Sequence, residues 1–83
     1  MEKSIYSDNH KKFLALLREL RDEVGFRQED VAEALEVPQS FVSKYESGER
    51  RLDILELRAV CQVLKLDLPT FCRKLEVLIA EDD

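Results

Sequence analysis

Between Gln28 and Glu46 the chain holds two short apolar-patterned runs joined only by Glu36-Val37-Pro38. The first run, about residues 28–35, turns Val31, Ala32 and Leu35 inward; the second, about 39–46, turns Val42 and Tyr45 inward. So short a connection between two short helices fixes a sharp crossing rather than an antiparallel hairpin. Backbones approach closely at such a crossing, which suits the small Ala32. Val42 packs into the same junction from the second helix, and Leu35 and Val37 seal it beneath.

The rest of the chain is also helical in pattern. Phe13, Leu16, Leu17, Leu20 and Val24 recur at three and four, which predicts a helix over 9–24. Ser7, Asp8 or Asn9 caps its start, and Gly25 ends it in a left-handed conformation. Ser47 and Gly48 stop the third helix. Asp53-Ile54-Leu55-Glu56 has the form of a capping box and opens a fourth helix to about Leu64, with Leu57, Val60, Cys61 and Leu64 inward. Asp67 caps a fifth, with Pro69 in its first turn where a missing N–H does no harm, running to about Ala80. Glu81-Asp82-Asp83 frays beyond it, while Ile5 and Tyr6 pack back on the domain or onto a partner. With two Gly, two Pro and no repeat or low-complexity linker, residues 1–83 read as a single all-α, five-helix domain.

Hydrophobic residues at 45% and charged residues at 37% suit a globular rather than a disordered chain. No stretch approaches the roughly 18 apolar residues of a membrane span, and MEKSIYSDNHKKF lacks the apolar run of a secretory signal. The expected location is the cytoplasm. Cys61 and Cys72 are eleven apart with no CxxC and a single His, so they read as buried free thiols rather than metal ligands. His10 sits in a polar leader and reads as exposed. No acid, base and nucleophile converge, so neither catalysis nor a cofactor is expected.

The second short helix carries more polarity than packing needs. In VPQSFVSKYESGER, the side chains of Gln39, Ser40, Ser43 and Lys44 share the face away from Val42 and Tyr45. Residues 21–66, and more loosely 10–80, resemble the phage repressor/Cro helix-turn-helix family, often called XRE-type. The resemblance is carried by Gln28-Glu29-x-Val31-Ala32, by Val37-x-Gln39-Ser40-x-Val42-Ser43-Lys44-x-Glu46 and by Gly48-x-Arg50. Leu57-x-x-Val60-Cys61-x-Val63-Leu64-x-Leu66-Asp67 continues it.

The resemblance implies double-stranded DNA as partner, with the motif at about 28–46 and its second helix in the major groove. Gln39 then pairs with adenine N6 and N7, Lys44 with guanine O6 and N7, Ser40 with several bases, and Ser43 with a base or a phosphate. Gln28, Arg27 and Arg50, with Arg51 and Ser47 as weaker candidates, contact phosphates and set register. Phe41 either touches a thymine methyl or the sugar backbone, or packs at the helix edge. Family members pair an Arg near the end of the first helix with the Glu that closes the recognition helix; here that implies Arg21 with Glu46, a scaffold pair rather than a DNA contact.

Three positions depart from the family pattern. Glu36 replaces the usual Gly of the motif turn, a cost of roughly 1–2 kcal/mol if φ is positive there. Arg27 and Pro38 stand where Ser or Thr often caps the two motif helices. The net charge of −5 is unusual for a nucleic-acid binder. Much of its acid, however, lies at Glu33, Glu36, Asp53, Glu56 and the tail, while Lys44, Arg50 and Arg51 face only Glu46 and Glu49 between Pro38 and Arg51. Leu68, Phe71, Leu75, Leu78 and Ile79 form a stripe on the fifth helix (about 68–80), which reads as a homodimer interface placing two recognition helices about 34–36 Å apart on an inverted repeat. Length and layout resemble the restriction–modification controller type. The alternative is a protein-interaction module, antitoxin-like or a regulatory subunit, that uses the same fold without reading DNA.

Overall fold

The computed structural model describes residues 8–81, which form five helices and no strand. These are α1 (Asp8–Val24), α2 (Gln28–Leu35), α3 (Gln39–Ser47), α4 (Ile54–Val63) and α5 (Leu68–Ala80). Ile5, Tyr6, Ser7, Asp82 and Asp83, for which packing, a cap and a frayed end were expected, lie outside the described residues.

Each helix contributes one apolar stripe to a shared core. Leu16, Leu17 and Leu20 come from α1, Val31 and Ala32 from α2, Val42 and Tyr45 from α3, and Leu57, Val60 and Cys61 from α4. Leu64 and Phe71 complete it. α3 packs on both α1 and α2, α2 leans on α4, and α5 closes the bundle against α1 and α4. The outer face of α3 is thereby left uncovered while its inner face is fixed from two sides.

Four helices end in the same way. The N–H just past the helix reaches back three residues, and the next N–H reaches back five. The pairs are Gly25 to Asp22 and Phe26 to Arg21, Glu36 to Glu33 and Val37 to Ala32, Gly48 to Tyr45 and Glu49 to Lys44, and Lys65 to Gln62 and Leu66 to Cys61. This closure requires a left-handed residue at the hinge. Glycine supplies it at Gly25 and Gly48, but Glu36 (φ 62°) and Lys65 (φ 72°) adopt it with a Cβ attached. In three of the four, the residue that follows (Phe26, Val37 or Leu66) packs against the core and holds the strained hinge in place.

The starts differ more. Asp53 accepts from the Glu56 N–H (2.7 Å) while the Glu56 carboxylate accepts from the Asp53 N–H (2.9 Å), a complete reciprocal cap. Asp67 accepts from the Thr70 N–H at 3.0 Å. α2 has half a cap: Asp30 accepts from the Arg27 N–H at 2.7 Å, but a guanidinium only donates and cannot answer a backbone N–H. Pro38, before α3, supplies no side-chain cap at all.

Three expectations are corrected. Cys72 is exposed, because it follows the fully buried Phe71 by one residue, about 100° around the helix. Cys61 is buried, and burial, followed by the Cys72 and Asp67 charges, pushes its thiol up to about 11. His10 is half-buried, its ring 5.8 Å from that of Phe13. Phe71 belongs to the chain's own core with no accessible surface, edge-on to Phe13, so it has none to offer a second copy.

Candidate nucleic-acid interface

The outer face of α3 presents Gln39, Ser40, Ser43 and Lys44, all exposed, while Val42, Tyr45 and Glu46 are buried beneath. This division follows the helical period: 42, 45 and 46 fall on one side, and 39, 40, 43 and 44 on the other.

A hydrogen-bonded chain ties that face to the scaffold. Gln39 Nε2 donates to Gln28 Oε1 (3.2 Å), and Gln28 Nε2 donates to Glu46 Oε1 (3.0 Å). Arg21 holds the same carboxylate bidentately, Nε to Oε2 at 2.7 Å and Nη2 to Oε1 at 3.0 Å. Its remaining Nη1 donates to the Phe26 carbonyl at 3.0 Å. The Glu46 side chain is only 2% exposed and that of Arg21 13%, so water screens the pair weakly. The Glu46 hydrogen bond is the main cause that raises the Arg21 pKa further, keeping it charged at any working pH. One N–H and the carbonyl oxygen of the Gln39 amide stay outside this chain, which is the donor–acceptor pair that an adenine edge requires.

The cations around α3 are placed differently from one another. Lys44 is exposed. Arg50 is bound bidentately by Glu56 (3.1 and 2.9 Å), also donates to the Arg51 carbonyl at 2.8 Å, and lies 4.4 Å above the Phe41 ring. Phe41 is half-buried and edge-on to Tyr45, so its packing role is filled. Arg50, expected to contact phosphate, is thus a clamp between the loop after α3 and the start of α4. Arg27 lies 3.4 Å from the Asp30 carboxylate and 3.9 Å from that of Glu29. Ser47 caps its own helix end, its hydroxyl donating to the Lys44 carbonyl at 3.1 Å. Arg51 is exposed. Gln28, expected at a phosphate, spends both ends of its amide inside the chain from Gln39 to Glu46.

The helix-turn-helix family model matches residues 17–71, more than half of the chain. An XRE-family-like protein from Pseudomonas syringae pv. tomato str. DC3000 is 39% identical, covers 89% of this chain and 90% of its own, and superposes with a TM-score of 0.82. The chain belongs to the XRE family of helix-turn-helix, DNA-binding regulators. Two structures of the restriction–modification controller protein C.Esp1396I are also similar to this XRE chain. A point variant is 27% identical (93% of this chain, 98% of that one, TM-score 0.81), and the wild type is 25% identical (90% and 97%, TM-score 0.80). No curated protein gives a significant match. This XRE protein is a DNA-binding regulator rather than an enzyme. Among the described residues, no three His, Cys, Asp or Glu are grouped to hold a metal ion, and no helix is long and apolar enough to cross a membrane.

Sequence reasoning missed Arg18, whose Nε stands 4.0 Å from Glu46 Oε1. Its spacing of three from Arg21 is the signal that it shares that side of α1. The closure of Arg50 by Glu56 was signalled only faintly, since Glu56 was already committed as a cap residue.

Proposed function

We propose that this XRE protein is a cytoplasmic, sequence-specific transcriptional regulator that binds an inverted-repeat operator as a homodimer, residues 1–83 acting as one unit. The observation that carries the reading is the exposed α3 face anchored through Gln39, Gln28, Glu46 and Arg21. A long side chain held at its terminal amide enters the major groove with little rotamer entropy left to lose. Gln39 reads adenine, Lys44 reads guanine, and Ser40 and Ser43 make the less selective contacts. Arg27, Ser47 and Arg51 set register against phosphates, Gln28 holds the Gln39 amide in place, and Arg50 braces the loop between them. Its similarity to the controller protein C.Esp1396I supports a role in controlling gene expression.

The second copy docks on α5. Leu68, Leu75, Leu78 and Ile79 keep part of their surface after packing, and Val77, which the sequence stripe omitted, is 56% exposed. Selection of bound sites from random duplex DNA tests the whole reading. The expected product is two inverted half-sites whose centres lie about one helical turn apart, ~34–36 Å. Failure to retain any duplex at low salt, together with capture of a protein ligand, would favour the interaction-module alternative. Direct repeats or unpaired half-sites would refute the symmetric dimer.

A further inference from the structure

Arg18 projects from α1 with its side chain 64% exposed, and its Nε lies 4.0 Å from Glu46 Oε1. Arg21 already grips that carboxylate bidentately and Gln28 adds a further donor. Two guanidinium groups therefore share one carboxylate, and Asp22 beside Arg21 brings the cluster to charge balance. The cluster is not remote from the reading face. Glu46 follows Ser43 by three residues and precedes Ser47, both exposed on α3. An open concavity of about 420 Å³ runs along α1 up to Glu46, with Lys11, Arg18, Glu19, Asp22 and Glu46 as its charged lining. Asp22 lies 3.7 Å from Arg21 Nη1, so part of its charge is met within the cluster. Of the two arginines beside carboxylates, Arg50 is committed to Glu56, while the more exposed Arg27 lies 3.4 Å from Asp30.

We propose that Arg18 binds a DNA backbone phosphate, carrying the protein–DNA contact from α3 onto α1. The inference rests on the DNA-binding reading above and adds a residue to it. A guanidinium suits the task because its planar fork donates two parallel hydrogen bonds to phosphate oxygens and is weakly hydrated. The long reach of an exposed side chain lets it leave Glu46, which Arg21 continues to neutralise. A contact of this kind adds affinity without sequence preference.

The test is the salt dependence of operator binding, measured on the site selected above. Each lost phosphate contact lowers the slope of log K against log salt by about 0.9, so Arg18→Gln should flatten it by roughly 1.8 in a dimer. Over a fourfold rise in salt, the variant should then lose about tenfold less affinity than the wild type. Arg18→Lys should keep most of the slope, and the ranking of operator variants should not change. Arg73→Gln serves as control, because Arg73 is exposed on α5, which does not pack on α3. An Arg18→Gln slope equal to that of the wild type overturns the inference while leaving the function intact. Equal flattening by Arg73→Gln also overturns it, since the effect would then be one of total charge. A wild type that binds no duplex overturns the parent reading and this one with it.

Discussion

Glu36 holds φ 62° and ψ 45° at the hinge between α2 and α3, where its Cβ crowds the following carbonyl. Glu36→Gly removes that crowding, worth roughly 1–2 kcal/mol, but frees the unfolded chain by up to about 1 kcal/mol. The net expectation is a gain of about 0.5–1 kcal/mol in urea melts, with Lys65→Gly behaving alike at φ 72°. Gly48→Ala should move the other way, for φ is 89° there and the added Cβ would sit 3.3 Å from Leu14 Cδ1. If Glu36→Gly leaves stability unchanged, the hinge carries no strain. Glu46 supplies a second residue-scale test. Glu46→Ala leaves Arg21 enclosed without its carboxylate, which should cost about 3 kcal/mol, whereas Arg21→Met with Glu46→Leu should recover much of it. Gln39→Ala should lower discrimination at one base pair of each half-site by about 1–3 kcal/mol and leave the other positions unchanged, as read by competition binding.

At the scale of the helix, acid chemistry concentrates at the starts. The Arg27 backbone N–H, and then its guanidinium, hold the Asp30 carboxyl below its usual range. Arg50, and then the Asp53 N–H, do the same for Glu56, and Thr70 does so for Asp67. A carboxyl whose folded pKa is depressed binds fewer protons than its unfolded counterpart, so the fold loses stability as protons are added. The contribution is complete above the ordinary carboxylate range, about pH 4, and disappears as pH falls through the lower folded values. Thermal melts from pH 7 to 2 should show this decline, and Glu56→Gln should make it shallower. An acid limb unchanged by Glu56→Gln would place the titration elsewhere.

The same scale shows what a linear reading of the chain can reach. Apolar periodicity, the spacing of Asp53 with Glu56 and the placing of Asp67 just ahead of Pro69 are local, and they marked the helices and two of their starts. Lys65 carries no sign of a left-handed hinge, because only the packing of Leu66 forces it there. The exposed face of α3 was legible from helical period alone. The bond from Gln39 to Gln28 spans eleven residues, and that from Gln28 to Glu46 spans eighteen, so both depend on how α2 crosses α3. Arg50 and Glu56 looked like a cation free for phosphate and an acid occupied by a cap. One carboxylate oxygen accepts from both the Asp53 N–H and the guanidinium, a sharing that spacing does not disclose.

For the whole molecule, a net charge of −5 opposes indiscriminate attraction to DNA. Affinity for random duplex should accordingly be weak at moderate salt, with most discrimination arising from contacts made at the correct site. The proposed homodimer depends on which apolar surface a second copy covers. Val77 on α5 and Leu55 at the start of α4 are 56% and 74% exposed. Val77→Lys should convert the dimer to monomer in sedimentation and weaken operator binding, while Leu55→Lys should do neither. The reverse pattern would move the interface to α4.

The chain of bonds behind Gln39 has an evolutionary consequence. If Gln39 addresses the promoter as proposed, a lineage that exchanges it leaves the Gln28 amide carbonyl, exposed at that bond, to water, while Arg21 keeps its grip on Glu46. Retargeting is then open to a single codon change, because the letter can be exchanged while its mounting stays fastened.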